Sequence, residues 1–209
     1  IRLGSLEPTL ITEDFANRLS KLEKICDHFH LSLQSGSDTV LKRMNRKYTS
    51  EEYKKGVELL RKYYPDASFT TDIIVGFPGE TDVEFEETYK FAQDVDFYKI
   101  HVFKYSKRRG TPAEKMPNQV DGNVKEERSN KLIKFSNNNE TKHNEKYVGK
   151  IIEVLFEELE NGFYKGHTTN YIMVKAKTAV AENMVDKIKK VKILKNDEDT
   201  RELIGEIID

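Results

Sequence analysis

The chain has a single cysteine, no tryptophan and five prolines in 209 residues. A lone Cys26 excludes an internal disulfide framework and any metal site built only from cysteines of this chain. No apolar run approaches the roughly 18–20 residues of a membrane span, and the first residues do not read as a signal peptide. An excess of either charge is missing too. Lys plus Arg number 35 against 36 Asp plus Glu, so global attraction to nucleic acid is excluded and any basic patch must be local. What is present is 37% hydrophobic and 34% charged residues, a charged surface around a sufficient core. The length suits one large domain or two small ones, and a cytoplasmic, membrane-free protein fits.

Residues 1–115 alternate short apolar runs with segments of helical period. The runs at 1–6, 29–33, 69–75 and 97–105 are rich in Ile, Val, Phe and Tyr and end at Gly, Ser or Pro, the signature of buried parallel strands. Between them, Thr12 caps a helix with Phe15, Leu19, Leu22 and Cys26 on one face. Thr49 with Glu52, and Thr81 with Glu84, form capping boxes, and Pro65 marks a stop. Strand–helix alternation of this kind predicts right-handed crossovers and a parallel sheet or barrel. Residues 121–146 read as a long polar helix with Val124, Leu132 and Phe135 as its apolar anchors. Beyond Gly149 the period switches to two, predicting strands at about 151–159, 162–166, 171–176, 188–194 and 202–208. Asn161-Gly162 is the strongest hairpin signal. The fold class is α/β: a partial (β/α) barrel over 1–120, a bridging helix over 121–147, and a small antiparallel five-stranded barrel over 148–209.

Three loops follow predicted strands: residues 4–8 (GSLEP), 33–38 (LQSGSD, running on to Arg43-Met44-Asn45-Arg46-Lys47-Tyr48) and 71–81 (TDIIVGFPGET). In a (β/α) barrel such loops share one face, where ligands bind. Glycine-rich turns there let backbone N–H groups approach a ligand, and polar residues hydrogen-bond ribose or amino-acid groups.

These three motifs, with YSKRRGTPA at 105–113, resemble the radical-SAM methylthiotransferases, and specifically their carboxy-terminal two-thirds. The opening RLGSLEP and the stretch SKRRGTP are most similar to the branch acting on N6-threonylcarbamoyladenosine in tRNA. The resemblance implies an enzyme using S-adenosylmethionine and two [4Fe-4S] clusters, one of them held by a CxxxCxxC motif. That motif is absent here, so the chain reads as a fragment holding the last four barrel strands and a terminal TRAM-like (OB-like) barrel, inactive alone and holding no cluster. The resemblance implies that Glu7, Gln34, Ser35 and Asp72 approach S-adenosylmethionine, that the turn Gly76, Phe77, Pro78 and Gly79 passes its adenine, and that Arg46 holds its carboxylate. It leaves the catalytic residues unassigned and implies no metal ligand within the chain.

The expected partner is tRNA. Residues 104–150 hold twelve Lys or Arg against six acids, whereas 151–209 hold nine against twelve. Phosphate attraction is therefore expected from Lys107, Arg108 and Arg109 and from a local face of the terminal barrel made of Lys165, His167, Tyr171, Lys175 and Lys177, beside Phe163 and Tyr164. Alternation places Ile172, Val174 and Ala176 inward. The alternatives are a ribosomal-protein methylthiotransferase, a non-catalytic RNA-binding adaptor and an unrelated (β/α) enzyme. The strand at 1–6, lacking a neighbour, is expected to drive self-association. After anaerobic reconstitution, the purified 209-residue chain should retain no stoichiometric iron or sulfide; retention of both would overturn the fragment reading.

Overall fold

The computed structural model describes residues 1–177 and 182–208. In chain order its first part runs α1 (Glu13–Leu19), β1 (His28–His30), α2 (Asp38–Arg43), α3 (Ser50–Tyr63), β2 (Ser68–Val75), α4 (Asp82–Val95), β3 (Lys99–Lys104) and α5 (Gly122–Glu145). The helices start where the sequence signals them. Thr12 accepts from the Phe15 N–H, and both capping boxes close reciprocally at Thr49/Glu52 and Thr81/Glu84. The helix α1 stops at Leu19, so Cys26 lies beyond it, its N–H donating to the Ile1 carbonyl, and does not share the helix face expected of it.

The strands β1, β2 and β3 pair in parallel in that order. The first expected strand, 1–6, is reduced to one parallel bridge between Leu6 and Leu31. Its ladder ends at once because Pro8, which has no N–H, opens a 3₁₀ turn. Alternation divides the sheet. Phe69, Thr71, Ile73 and Val75 of β2 are buried in the core shared with Tyr53, Leu60, Phe85 and Ala92 of α3 and α4. His28, His30, Thr70, Asp72 and His101 alternate with that set and carry polar groups on the other face.

The second part holds β4 (Ile151–Glu160), β5 (Phe163–His167), β6 (Met173–Lys177), β7 (Ile188–Asp197) and β8 (Glu202–Ile207), closed in the order β4-β5-β6-β8-β7. Asn161 and Gly162 both have positive φ, as a two-residue hairpin requires. Four pairings are antiparallel, but β6 and β8 pair in parallel, which corrects the all-antiparallel expectation. The long β7–β8 hairpin delivers β8 alongside β6 running the same way, and that contact closes the barrel. Val154, Phe156, Ile172, Val174, Ala176 and Val191 fill its interior, and Tyr98 from the sheet side joins them.

The helix α5 is buried through polar residues. Ser136 Oγ accepts from the Ile100 N–H at 2.8 Å, and Asn139 Nδ2 donates to the Phe97 carbonyl at 3.0 Å. Asn144 accepts from the Tyr98 hydroxyl at 3.3 Å and donates to the Arg201 carbonyl at 3.0 Å, tying sheet, helix and barrel together. Of the expected anchors, Leu132 is fully buried, while Val124 and Phe135 are half-buried. Among the described residues no helix is long and apolar enough to cross a membrane.

Arg128 of α5 meets Glu80 at 2.6 Å with both side chains buried, and its second nitrogen reaches Asp82 at 2.7 Å. Burial pushes the Glu80 carboxyl up, against the pull of the Gly76 N–H and of Arg128. Removing one partner of a buried pair strands the other charge, so Arg128→Leu should cost about 3–5 kcal/mol in urea unfolding. Lys131→Ala, on the exposed side, should cost about 0.5 kcal/mol or less. Equal midpoints for the two variants would contradict this account of α5.

Candidate functional site

A cleft of about 670 Å³ opens where the parallel strands end. Gln34 enters it from the loop after β1, Asp72 and Ile74 from β2, Phe77 from the turn after β2, and Phe103, Lys104 and Tyr105 from β3 and its exit. The wall opposite comes from Arg43, Met44, Asn45 and Arg46 at the end of α2. The loop carrying Arg108, Thr111, Pro112 and Met116 closes the mouth. The motifs at 33–38 and 71–81 and the stretch 105–113 therefore converge on one face, the carboxyl ends of the strands, while the 4–8 loop contributes no residue to the lining.

Gln34 is placed by its backbone. Its N–H donates to the Asp72 carbonyl at 2.8 Å and its carbonyl accepts from the Ile74 N–H at 2.9 Å, with φ at 69°. A non-glycine residue held at positive φ is a strained conformation that the parallel bridge to β2 maintains. The turn after β2 is clamped from two sides. Glu80 accepts from the Gly76 N–H at 2.9 Å, and the Gly79 carbonyl accepts from Arg43 at 3.3 Å. A Cβ on Gly76, whose φ is also positive, would lie 2.1 Å from Cγ of Lys125, so a side chain here would be strained and would displace the Lys125 side chain of α5.

Of the residues expected at the cofactor, Gln34, Arg46, Asp72 and Phe77 line the cleft. Glu7 sits at its rim, 3.6 Å from Arg46 in an exposed pair. Ser35 is fully buried, bonded to the Thr88 hydroxyl and to the Ser37 N–H, and it shapes the loop without facing the cleft. Gly76, Pro78 and Gly79 form the turn behind Phe77 and do not line the cavity themselves.

The expected RNA residues divide. Lys107, Arg108 and Arg109 are exposed in the loop after β3, and Arg108 reaches the cleft mouth with no side-chain partner among the described residues. On the barrel, Lys165 and Lys175 face each other across β5 and β6, and each is ion-paired, to Glu160 and Glu202. Lys177 is exposed and rests over the Phe163 ring at 4.6 Å. Tyr171 is not in a strand. With φ at 70° it precedes β6 and stacks on His167 and on His28 of β1, each at 4.6 Å, beneath Arg2. His167 also meets Glu157 at 2.9 Å. Both rings are thus spent at the seam between barrel and sheet, and burial first, then Arg2, lowers His28 to about 4 and keeps it neutral.

The sequence reading names no metal ligand, yet His30, Asp72 and His101 come together on the polar face of the sheet, with donor atoms within 4.8 Å of one another. Burial lowers His101, opposed by Asp72. The signal in the sequence is a polar residue at alternate positions of otherwise apolar strands, away from the loop motifs. Also missed was the helix α2, whose Arg43 grips both oxygens of Glu84 at 2.8 Å.

Arg43, with help from Thr39 and the Thr81 N–H, holds the Glu84 carboxyl down at about 2. A carboxyl depressed in the folded state contributes stability that is present above its ordinary range near 4.5 and is lost as pH falls toward 2. Arg43→Met should therefore cost about 1–3 kcal/mol at pH 7 in urea unfolding. The gap from the unsubstituted chain should shrink between pH 5 and pH 2, whereas a pH-independent gap would count against the pairing.

Residues 4–92 match the radical SAM superfamily. The chain is 45% identical over 200 residues to the threonylcarbamoyladenosine tRNA methylthiotransferase MtaB of Bacillus subtilis, which covers 93% of this chain and 44% of the relative. It is 40% identical over 211 residues to the tRNA-2-methylthio-N(6)-dimethylallyladenosine synthase of Caldicellulosiruptor saccharolyticus, covering 100% of this chain and 44% of the relative. The chain thus spans less than half the length of these curated relatives. The solved structure of the radical SAM enzyme coproporphyrinogen III oxidase from Escherichia coli superposes with a TM-score of 0.55 at 18% identity, over 65% of this chain and 31% of that one, a likeness of fold. Agreement between the superfamily match, these two relatives and a cleft at the strand ends places the chain in the radical-SAM methylthiotransferase family.

Proposed function

We propose that the cleft binds S-adenosylmethionine and that the protein containing this chain adds a methylthio group to N6-threonylcarbamoyladenosine in tRNA. The observation that carries the reading is the convergence of Gln34, Arg46, Asp72 and Phe77 on one cavity at the strand ends. The cavity volume suits a nucleoside joined to an amino acid. Gln34 and Asp72 hydrogen-bond hydroxyl or ammonium groups, Phe77 offers its ring beside the base, and the Arg46 guanidinium pairs with the carboxylate. The Glu7–Arg46 pair is exposed and worth about 0–1 kcal/mol, so a ligand carboxylate displaces it at little cost.

When bound, S-adenosylmethionine supplies its sulfonium-linked groups. A [4Fe-4S] cluster does not fit these residues, because Cys26, the single cysteine, lies beside Ile1 and not in the cleft. The residues described here bind and orient the sulfonium ligand and admit the nucleoside. Arg108, unpaired at the mouth among the described residues and flanked by Lys107 and Arg109, faces the approach of a polyanion. The terminal barrel serves as a TRAM-like grip on tRNA. With Lys165 and Lys175 neutralised by acids, Lys177 over Phe163 is the cation left on that face among the described residues. The threonylcarbamoyl substrate is favoured over dimethylallyladenosine by the RLGSLEP opening and by the span of the match to the Bacillus subtilis relative, whose 45% identity extends over 200 residues against 157 for dimethylallyladenosine synthases of equal identity.

The test uses the complete coding sequence expressed in a bacterium lacking the modification, with tRNA nucleosides read by mass spectrometry. The 2-methylthio derivative of N6-threonylcarbamoyladenosine should appear; a methylthiolated dimethylallyladenosine or ribosomal protein in its place would overturn the substrate. Arg46→Ala should weaken S-adenosylmethionine binding about 10- to 150-fold, the worth of a charge-assisted hydrogen bond of about 1.5–3 kcal/mol. Unchanged affinity would remove Arg46 from the site.

A further inference from the structure

The polar face of the sheet gathers three strong metal donors from three different strands. His30 belongs to β1, Asp72 to β2 and His101 to β3, and Asp72 and His101 are direct register partners. His30 Nε2 stands 3.4 Å from Asp72 Oδ2. Donor atoms bound to one tetrahedral zinc at about 2.0–2.1 Å lie about 3.3–3.4 Å apart, so this pair already has the spacing of two ligands on a shared ion. A rotation of the His101 ring brings in the third donor, because all three atoms fall within 4.8 Å and that ring has no hydrogen-bond partner among the described residues.

A second observation concerns the far side of the His30 ring. Its Nδ1 lies 2.9 Å from Thr70 Oγ1, which is also 3.0 Å from His28 Nε2. A histidine ligand is oriented by the hydrogen bond its other nitrogen makes, and Thr70 provides that bond from inside the sheet. Two proton arrangements fit these distances: in one, Nδ1 donates to Thr70 Oγ1 and His30 Nε2 presents a lone pair toward the Asp72 carboxylate, and in the other, Thr70 donates to Nδ1 and Nε2–H donates to Asp72. In the first tautomer the two lone-pair donors leave room for a cation between them, and a bound cation would select it over the tautomer that donates Nε2–H to Asp72. The side chains of His30 and Asp72 are 14% and 28% exposed, shielded from bulk solvent but open to an ion.

We infer that His30, Asp72 and His101 form a binding site for a divalent transition metal of the zinc class, positioned by Thr70. Two imidazoles and one carboxylate are a donor set that zinc accepts, with a fourth position left for water or a ligand. Asp72 also lines the cleft, so the ion lies within reach of whatever occupies it. The inference rests on this geometry and not on the reaction proposed above.

The test uses the 209-residue chain freed of any affinity tag and stripped with chelator. One equivalent of Co²⁺ should bind with the intense visible bands of a four-coordinate site, and Zn²⁺ should displace it. Asp72→Asn and His101→Gln should each weaken binding more than about 100-fold, beyond the 10- to 100-fold expected of Thr70→Val as an orienting residue. His143→Gln, remote from the cluster, should bind as the parent does. In the unsubstituted chain, Zn²⁺ should shift the ring-nitrogen resonances of His30 and His101, a readout independent of how any variant folds. Absence of saturable binding, or shifts at His143 or His167 in their place, would overturn the site.

Discussion

The outer edge of β3 has no further strand beside it among the described residues, and a bare edge of that kind presents unpaired amides and carbonyls. The helix α5 answers this with side chains. Ser136 takes the Ile100 amide and Asn139 the Phe97 carbonyl, while Glu140 holds Lys99 at 2.9 Å and Arg201 at 3.1 Å. A polar group buried without a partner costs more than the bond itself returns, so each of these residues is fixed by the one it serves. The position of α5 sets the rest. Its first half pins the turn after β2 through Arg128 and Lys125, and its second half carries the barrel through Asn144.

The seam between sheet and barrel is built from the same materials. Arg2 donates to the carbonyls of Thr168 and Thr169 at 3.1 and 3.0 Å, Ser68 bonds the Asn170 carbonyl, and Asn170 donates to the Tyr147 hydroxyl at 2.6 Å. Tyr98 adds apolar continuity by entering the barrel interior from the sheet side. Hydrogen bonds and stacked rings fix direction as well as proximity, which apolar contact alone does not.

The sequence made the local devices plain and hid the distant ones. Thr49/Glu52, Thr81/Glu84 and Asn161-Gly162 are decided within four residues, and each formed as its pattern indicates. That Gln34, Asp72 and Phe77 share one cleft was legible because each follows or ends an apolar run and strand ends converge in a parallel sheet. Arg43–Glu84, Arg128–Glu80 and His30–Asp72 join residues about forty apart, and no local pattern encodes them. Tyr171 was misplaced because alternation from Ile172 to Ala176 extends naturally back to it. Its backbone instead turns left-handed to stack on His28. Segment 1–6 has strand composition, and one proline two residues later cuts the pairing short.

Because Asn144 touches Tyr98 on one side and the Arg201 carbonyl on the other, the lever arm from barrel to cleft has a set length. Under the proposed function, a polynucleotide held by the barrel would be measured off along that ruler, so reach would govern which nucleotide arrives opposite Gln34 as much as the chemistry of the nucleotide itself. Lengthening α5 by a whole turn would move the grip about 5.4 Å without touching a single side chain at the mouth.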